Sequence, residues 1–266
     1  MRLFLPLLMG WMLLRPALAM DAASAACRLF VQSVLPGLFP YMVLSLMLVS
    51  RMPAAMPGWL ILLMGWCGGS PTGARLMAQR GLRDKRLAVG CATMSPMFLL
   101  GTLGSWLNSP GAGVCILLSV VAGGYLTGLM VPARGQTANQ HAATPLAFGE
   151  AVEAAARTML LVCGTMVVFR VFTALAAEAL PGLALPLATA LEVTTGTKML
   201  SELPLPLPLR ASLMAGATGM GGAALLMQNR ACAPGLMPLW QQALWQVAHG
   251  VMSFGLCLGL MLLAGI

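Results

Sequence analysis

Apolar stretches follow one another almost without interruption along this sequence, and that succession constrains the fold more than any other feature. They run over residues 27–50, 59–67, 87–107, 114–131, 151–175, 183–191, 211–227 and 239–266, parted by short polar joints. A water-soluble domain carries roughly 25% charged residues. This chain has 8% across 266 residues, of which 59% are hydrophobic. A membrane-crossing helix takes ~20 apolar residues. The pattern predicts an all-α, polytopic membrane protein with no room for a sizeable soluble domain.

Two stretches, 59–67 and 183–191, are only about half a membrane span long. Each runs into a polar, glycine-bearing knot: Gly68-Gly69-Ser70-Pro71-Thr72-Gly73 in the first, Glu192-Val193-Thr194-Thr195-Gly196-Thr197 in the second. Such segments are expected to enter the bilayer and turn back as re-entrant hairpins. Residues 1–20 have a basic start, an apolar run and Ala17-Leu18-Ala19, the layout of a signal peptide. Arg15-Pro16 interrupts that layout, and a retained N-terminal membrane helix over 1–20 is the preferred reading.

The knots anchor an internal repeat. Thr72-Gly73-Ala74-Arg75 matches Thr195-Gly196-Thr197-Lys198, 123 positions on. Asp21-Ala22-Ala23-Ser24-Ala25-Ala26-Cys27-Arg28 matches Glu150-Ala151-Val152-Glu153-Ala154-Ala155-Ala156-Arg157, 129 positions on, and in each copy the outer acid and the arginine share a helix face. Ala92-Thr93 matches Ala217-Thr218 in the same order. The chain therefore divides into the N-terminal helix 1–20, a first repeat 21–132, a polar linker 133–147 and a second repeat 148–266.

Charge decides between topologies. There are 15 Lys+Arg against 7 Asp+Glu, a formal +8, and cytoplasmic loops of membrane proteins hold Lys and Arg. If the knotted segments are hairpins, Arg2, Arg51, Arg80, Arg83, Lys85, Arg86, Arg134 and Arg230 share one side, leaving Arg15, Arg28 and Arg210 at the other. If they crossed fully, the run at 80–86 would oppose Arg51. The bias therefore predicts seven spans plus two hairpins, an inverted repeat of broken helices, with the N-terminus cytoplasmic. No basic, aromatic-interleaved domain exists for a nucleic-acid partner.

Irregular backbone at membrane depth is tolerated where protein encloses it, and inverted repeats place a substrate site at their interface. Four breaks offer candidates. Ser70-Pro71 and Ser95-Pro96 share a form, serine as N-cap and proline at the first helical position. Thr194-Thr195-Gly196 and the run from Thr218 to Gly222 answer in the second half. Converging half-helix starts suit an anion or a polar carbonyl compound. Ordinary kinks with close glycine packing are the plain alternative.

The candidate substrate-binding residues are Gly69, Ser70, Thr72, Arg75, Thr93, Ser95, Glu192, Thr194, Thr195, Gly196, Lys198 and Thr218. Arg75 and Lys198 either pair with a carboxylate or snorkel to headgroups. Glu192, without a basic neighbour in sequence, either holds a coupling cation or proton or caps a helix. Arg170, mid-helix, either pairs with Glu178 or faces the cavity. His249 reads as a bundle-facing polar residue, and Gln228-Asn229 as an interface cap.

Other chemistries lack their residues. Seven scattered cysteines without a C-x-x-C pair, and two histidines, give no metal-ligand spacing. The 22 methionines read as packing and lipid-facing residues. There is no G-x-x-x-x-G-K-[ST] loop, no paired carboxylates and no nucleophile motif. No enzyme activity and no cofactor are expected.

Val34-Leu35-Pro36-Gly37-Leu38-Phe39-Pro40-Tyr41-Met42-Val43-Leu44-Ser45, followed by Gly68-Gly69-Ser70-Pro71-Thr72-Gly73-Ala74-Arg75, resembles the sporulation integral membrane protein YlbJ family. Leu191-Glu192-Val193-Thr194-Thr195-Gly196 and Ser201-Glu202-Leu203-Pro204 resemble its second-half signature. The resemblance covers about residues 20 to 262. It implies two nucleoside-recognition (Gate) domains, related to the cores of concentrative nucleoside transporters and of B-type ferrous-iron permeases. It also implies a cell-membrane protein of spore formation linked to moving dipicolinate, a small dicarboxylate. The chain departs from the family in a short central linker and in Ser95-Pro96, and the Gln-Thr-Glu signature of nucleoside transporters is missing.

The function expected is a permease for a small carboxylate, with that anion and the lipid bilayer as partners. A coupling ion and a homo-oligomer stay open. A non-transporting scaffold of a sporulation complex, or a permease for nucleosides or another small solute, stand as alternatives.

Overall fold

A computed structural model of the chain describes residues 4–53, 56–132 and 144–265. Positions 133–143 of the expected linker, with Arg134 and His141, lie outside the described residues. Among the described residues there is helix and no strand. Helix α1 (Phe4–Leu14) ends before Arg15, and α2 (Pro16–Ser50) starts on a proline, which has no N–H to leave unpaired at a first helical position. The helical break therefore falls at Arg15, and the boundary expected after Met20 lies inside α2.

Beyond α2 come α3 (Gly58–Gly68), α4 (Thr72–Gln79), α5 (Lys85–Gly90), α6 (Met97–Trp106) and α7 (Pro110–Met130). The second half holds α8 (Phe148–Ala179), α9 (Pro181–Leu191), α10 (Val193–Ser201), α11 (Leu207–Met220), α12 (Gly222–Cys232) and α13 (Leu239–Leu263). Both halves run in the same order: a long helix, two short helices meeting at a knot, a helix broken in two, and a helix of membrane length. Local chemistry sets the starts. Asp84 accepts from the Arg86 N–H at 2.8 Å and opens α5, and Ser109 accepts from the Ala112 N–H at 3.2 Å ahead of Pro110 in α7.

Helices α2, α7, α8 and α13 are long and apolar enough to cross a membrane, which fits a helical membrane protein. They pack as two antiparallel pairs. The Ser50 hydroxyl at the end of α2 accepts from the Leu146 N–H before α8 at 3.0 Å, while Arg15 meets Glu178 at the opposite ends, 3.2 Å apart. In the other pair His249 Nε2 of α13 lies 2.9 Å from the Val120 carbonyl of α7, so the histidine faces the bundle as its sequence setting suggests. Met42, Leu46, Ile61, Leu76 and Met77 fill the core beside α2 and α8; Leu99, Leu103, Ile116, Met214 and Met261 fill the one beside α7 and α13.

Arginines tie the joints at one end of the bundle. Arg51 donates to the Leu146 carbonyl at 3.0 Å, Arg83 to Gly235 at 3.1 Å, Arg86 to Val131 at 2.9 Å and Arg230 to Met237 at 3.2 Å. Arg80, fully buried, donates to the carbonyls of Met52, at 3.2 Å, and Pro53. At the other end Arg210 donates to Ser201 at 2.8 Å, near the Arg15–Glu178 pair's end of the long helices. Among the described residues, Arg51, Arg80, Arg83, Arg86 and Arg230 thus lie at one end and Arg15 and Arg210 at the other, while Arg28 lies exposed within α2; Arg2 lies outside the described residues.

Candidate functional site

In the first half, α3 and α4 fold back on each other because Gly65 and Gly73 allow their backbones to touch; a Cβ on Gly65 would stand 3.3 Å from the Gly73 Cα. Gly69 closes the knot at φ 68°, and a Cβ there would lie 2.4 Å from the Ser95 nitrogen. The next N–H, of Ser70, donates to the Thr93 carbonyl at 2.6 Å. The two breaks of this half are therefore clamped together. Ser95 acts as the sequence predicts, accepting from the Phe98 N–H at 3.3 Å at the start of α6.

Ser70 departs from the prediction. Pro71 occupies the cap position of α4, joined to Ser70 by a cis peptide bond, and no side chain caps that helix. The Ser70 hydroxyl instead crosses the molecule and donates to Asn229 Oδ1 on α12 at 2.6 Å. Packing of α12 over the knot offers the serine a buried acceptor that its own helix start does not outcompete.

In the second half the break comes earlier than expected, at Glu192. Its carboxylate caps α10, accepting from the N–H groups of Thr194 and Thr195 at 3.1 and 2.9 Å and from both hydroxyls at 2.5 Å. Glu192 is 2% exposed. Thr194, Thr195 and Gly196 lie inside the first turns of α10 rather than at a break. The start of α10 is consequently filled by the protein's own anion, not left open for a solute. Glu192 also has a basic partner: Arg170 Nη1 lies 3.9 Å from Oε2 and donates to the Thr195 hydroxyl. The alternative partner, Glu178, belongs to Arg15.

Gly196 allows α9 and α10 to meet, since a Cβ would fall 2.5 Å from the Thr189 Cα. Gly221 and Gly222, both with positive φ, make the second break, and Gly222 sits against the Thr189 and Ala190 carbonyls. Again the two breaks of one half touch through a glycine. Thr218 precedes the break and spends its hydroxyl on the Met214 and Ala215 carbonyls, at 2.8 and 3.0 Å.

A narrow, partly open cavity with about 40 Å³ of free space lies where the two halves meet. Ser70 and Ser95 reach it from the first half, Glu192, Thr194 and Gln228 from the second. Val34 and Phe98, also in its wall, come from π-helical segments of α2 and α6. Of the remaining candidates, Thr72 and Thr93 are fully buried behind the knot with unpartnered hydroxyls. Arg75 is part-buried on α4 with its Nε unpartnered.

Lys198 is not brought to the cavity. Its Nζ pairs with Glu202 at 3.1 Å and lies 5.3 Å from the Trp106 ring centre, with the side chain 49% exposed. Arg75 and Lys198 match in sequence and differ in surroundings.

No family model, no curated protein and no solved structure matches the chain. Sequence reasoning undervalued Gln228 and Asn229, which are 3% and 7% exposed. Gln228 donates to the Thr165 hydroxyl at 2.8 Å, and Asn229 receives Ser70. Two amides side by side inside an apolar stretch are the signal, because burying an amide is costly unless a partner awaits it.

Proposed function

We propose that the chain is a multi-pass cell-membrane permease for a small carboxylate, built from two inverted halves whose hairpins and broken helices enclose the substrate. The observation that carries this reading is the shared cavity: polar side chains from the breaks of both halves line one narrow space. Alternating-access transporters built from inverted repeats use that arrangement, a midplane site between broken helices. The segregation of arginines to opposite ends supports hairpins that return to the end they left, and basic joints facing the cytoplasm. Seven spans follow if α1 crosses; its 11 residues rise about 16 Å.

The carboxylate reading draws on the resemblance to the YlbJ family, whose dipicolinate link names a concrete solute. Electrostatics does not oppose it. Glu192 has its oxygens occupied by four donors and stands beside Arg170, so a bound carboxylate would not face a bare anion. Flux of pyridine-2,6-dicarboxylate into proteoliposomes, with uridine as the neutral comparison, tests the proposal. Saturable dicarboxylate uptake that empty vesicles lack is the expected result. Uptake of uridine alone would favour a nucleoside permease, and no uptake of either a scaffold role.

A further inference from the structure

A second narrow cavity, with about 30 Å³ of free space, opens between α4, α5, α12 and the start of α13, beside the arginine-tied joints. Its polar lining comprises Asn229, Arg230, Gln242 and Gln246, with Trp245 and Ala74 among the apolar walls. No acidic side chain among the described residues lines it. Two of its donors have nothing to bind: Asn229 Nδ2 and Gln246 Nε2 are buried without a hydrogen-bond partner. Their residues are 7% and 8% exposed. Buried amide donors are normally paired, and a pair of orphans in one cavity points to a ligand rich in acceptors. Arg230 adds a cation whose Nη1 is held by the Met237 carbonyl at 3.2 Å.

Asn229 stands in the wall between the two cavities. It lines the second, while its Oδ1 receives the hydroxyl of Ser70, which lines the first. We propose that the second cavity is a carboxylate-binding vestibule at the basic end of the permease, with Arg230, Gln246 and Asn229 as the carboxylate's partners and the Ser70–Asn229 hydrogen bond as the partition before the central cavity. A guanidinium in the same lining as two unpartnered amide donors suits a carboxylate, whose oxygens accept charge-assisted bonds from arginine. Sharing Asn229 between ligand and partition lets an arriving solute compete for the amide that closes the inner cavity. This deepens the permease reading and rests on it.

The test is calorimetric titration of the purified full chain in detergent with pyridine-2,6-dicarboxylate and with its neutral diamide. The dicarboxylate is expected to bind about tenfold or more tightly than the diamide, the gap expected of a charge-assisted contact. Arg230→Gln should remove most of that preference and Arg230→Lys should restore part of it. Gln246→Leu should weaken dicarboxylate binding several-fold while leaving the unfolding temperature unchanged or raised, because the buried amide nitrogen it removes has no partner inside the protein.

A structural glutamine would instead lose stability and leave affinity alone, and that result overturns the proposal. Equal dicarboxylate affinity in the native chain, Arg230→Gln and Gln246→Leu overturns it too. Binding that depends on Arg230 and Gln246, in a protein that moves no solute across vesicles, upholds the site and sinks the permease reading instead.

Discussion

Glu192 concentrates more hydrogen bonds than any other side chain in the candidate site, with four donors from two threonines and a guanidinium beside it. Glu192→Gln supplies only one acceptor oxygen where two serve, and it takes from Arg170 its carboxylate partner. Its expected cost is about 2–3 kcal/mol, the range for losing charge-assisted bonds to a buried group. Thermal unfolding in detergent measures this, with Glu192→Asp expected to fall between.

Ser70→Ala should cost about 1 kcal/mol and also leave the Asn229 oxygen buried without its donor. Combining it with Asn229→Leu should cost less than the two separate losses, a coupling of roughly 0.5–3 kcal/mol in a double-mutant cycle. Strict additivity would show that the 2.6 Å contact is not a working bond. Lys198→Gln should leave dicarboxylate flux unchanged, since a half-exposed pair with Glu202 contributes ~0–1 kcal/mol and the side chain lies away from the cavity.

Among the elements, glycines decide how the half-helices meet. Gly69→Ala meets both a positive φ and the Ser95 backbone, and Gly196→Ala drives a methyl into the Thr189 backbone. Neither backbone can yield as a flexible side chain would, so both variants should lose flux and stability together, in vesicle uptake normalised to inserted protein. Gly164→Ala in α8 has nothing within 4 Å of the new methyl and should gain about 0.5–1 kcal/mol from helix propensity.

The half-length stretches were legible in sequence because an apolar run shows its own ends: 59–67 became Gly58–Gly68, and 183–191 became Pro181–Leu191. The four breaks were legible near their glycines and prolines for the same local reason. What spacing cannot carry is the choice of partner. Ser70 and Asn229 stand 159 positions apart, and a Ser-Pro pair looks the same whether it caps its own helix or reaches across to another. Glu192 shows the converse, since a helix cap was one of its two sequence readings but the pairing with Arg170 was not.

For the whole molecule, orientation follows from where each hairpin begins and ends. If α3 and α4 form a hairpin, positions 57 and 85 lie on one side of the membrane; if they cross, the two positions separate. The same logic places 182 and 202 together around α9 and α10, and inversion of the halves puts that pair opposite the first. Pro57→Cys, Lys85→Cys, Gly182→Cys and Glu202→Cys test this in a background with the exposed Cys27 replaced by alanine.

A membrane-impermeant maleimide should reach the first two from the cytoplasmic face only, since Arg80, Arg83 and Arg86 flank them. It should reach the last two from the opposite face only. Labelling of 57 and 85 from different faces would make the first knot part of a crossing helix. Labelling of all four from one face would leave both hairpins standing but remove the inversion. The central cavity would then have no alternating path, because two parallel halves do not exchange inward and outward roles about an axis in the membrane plane.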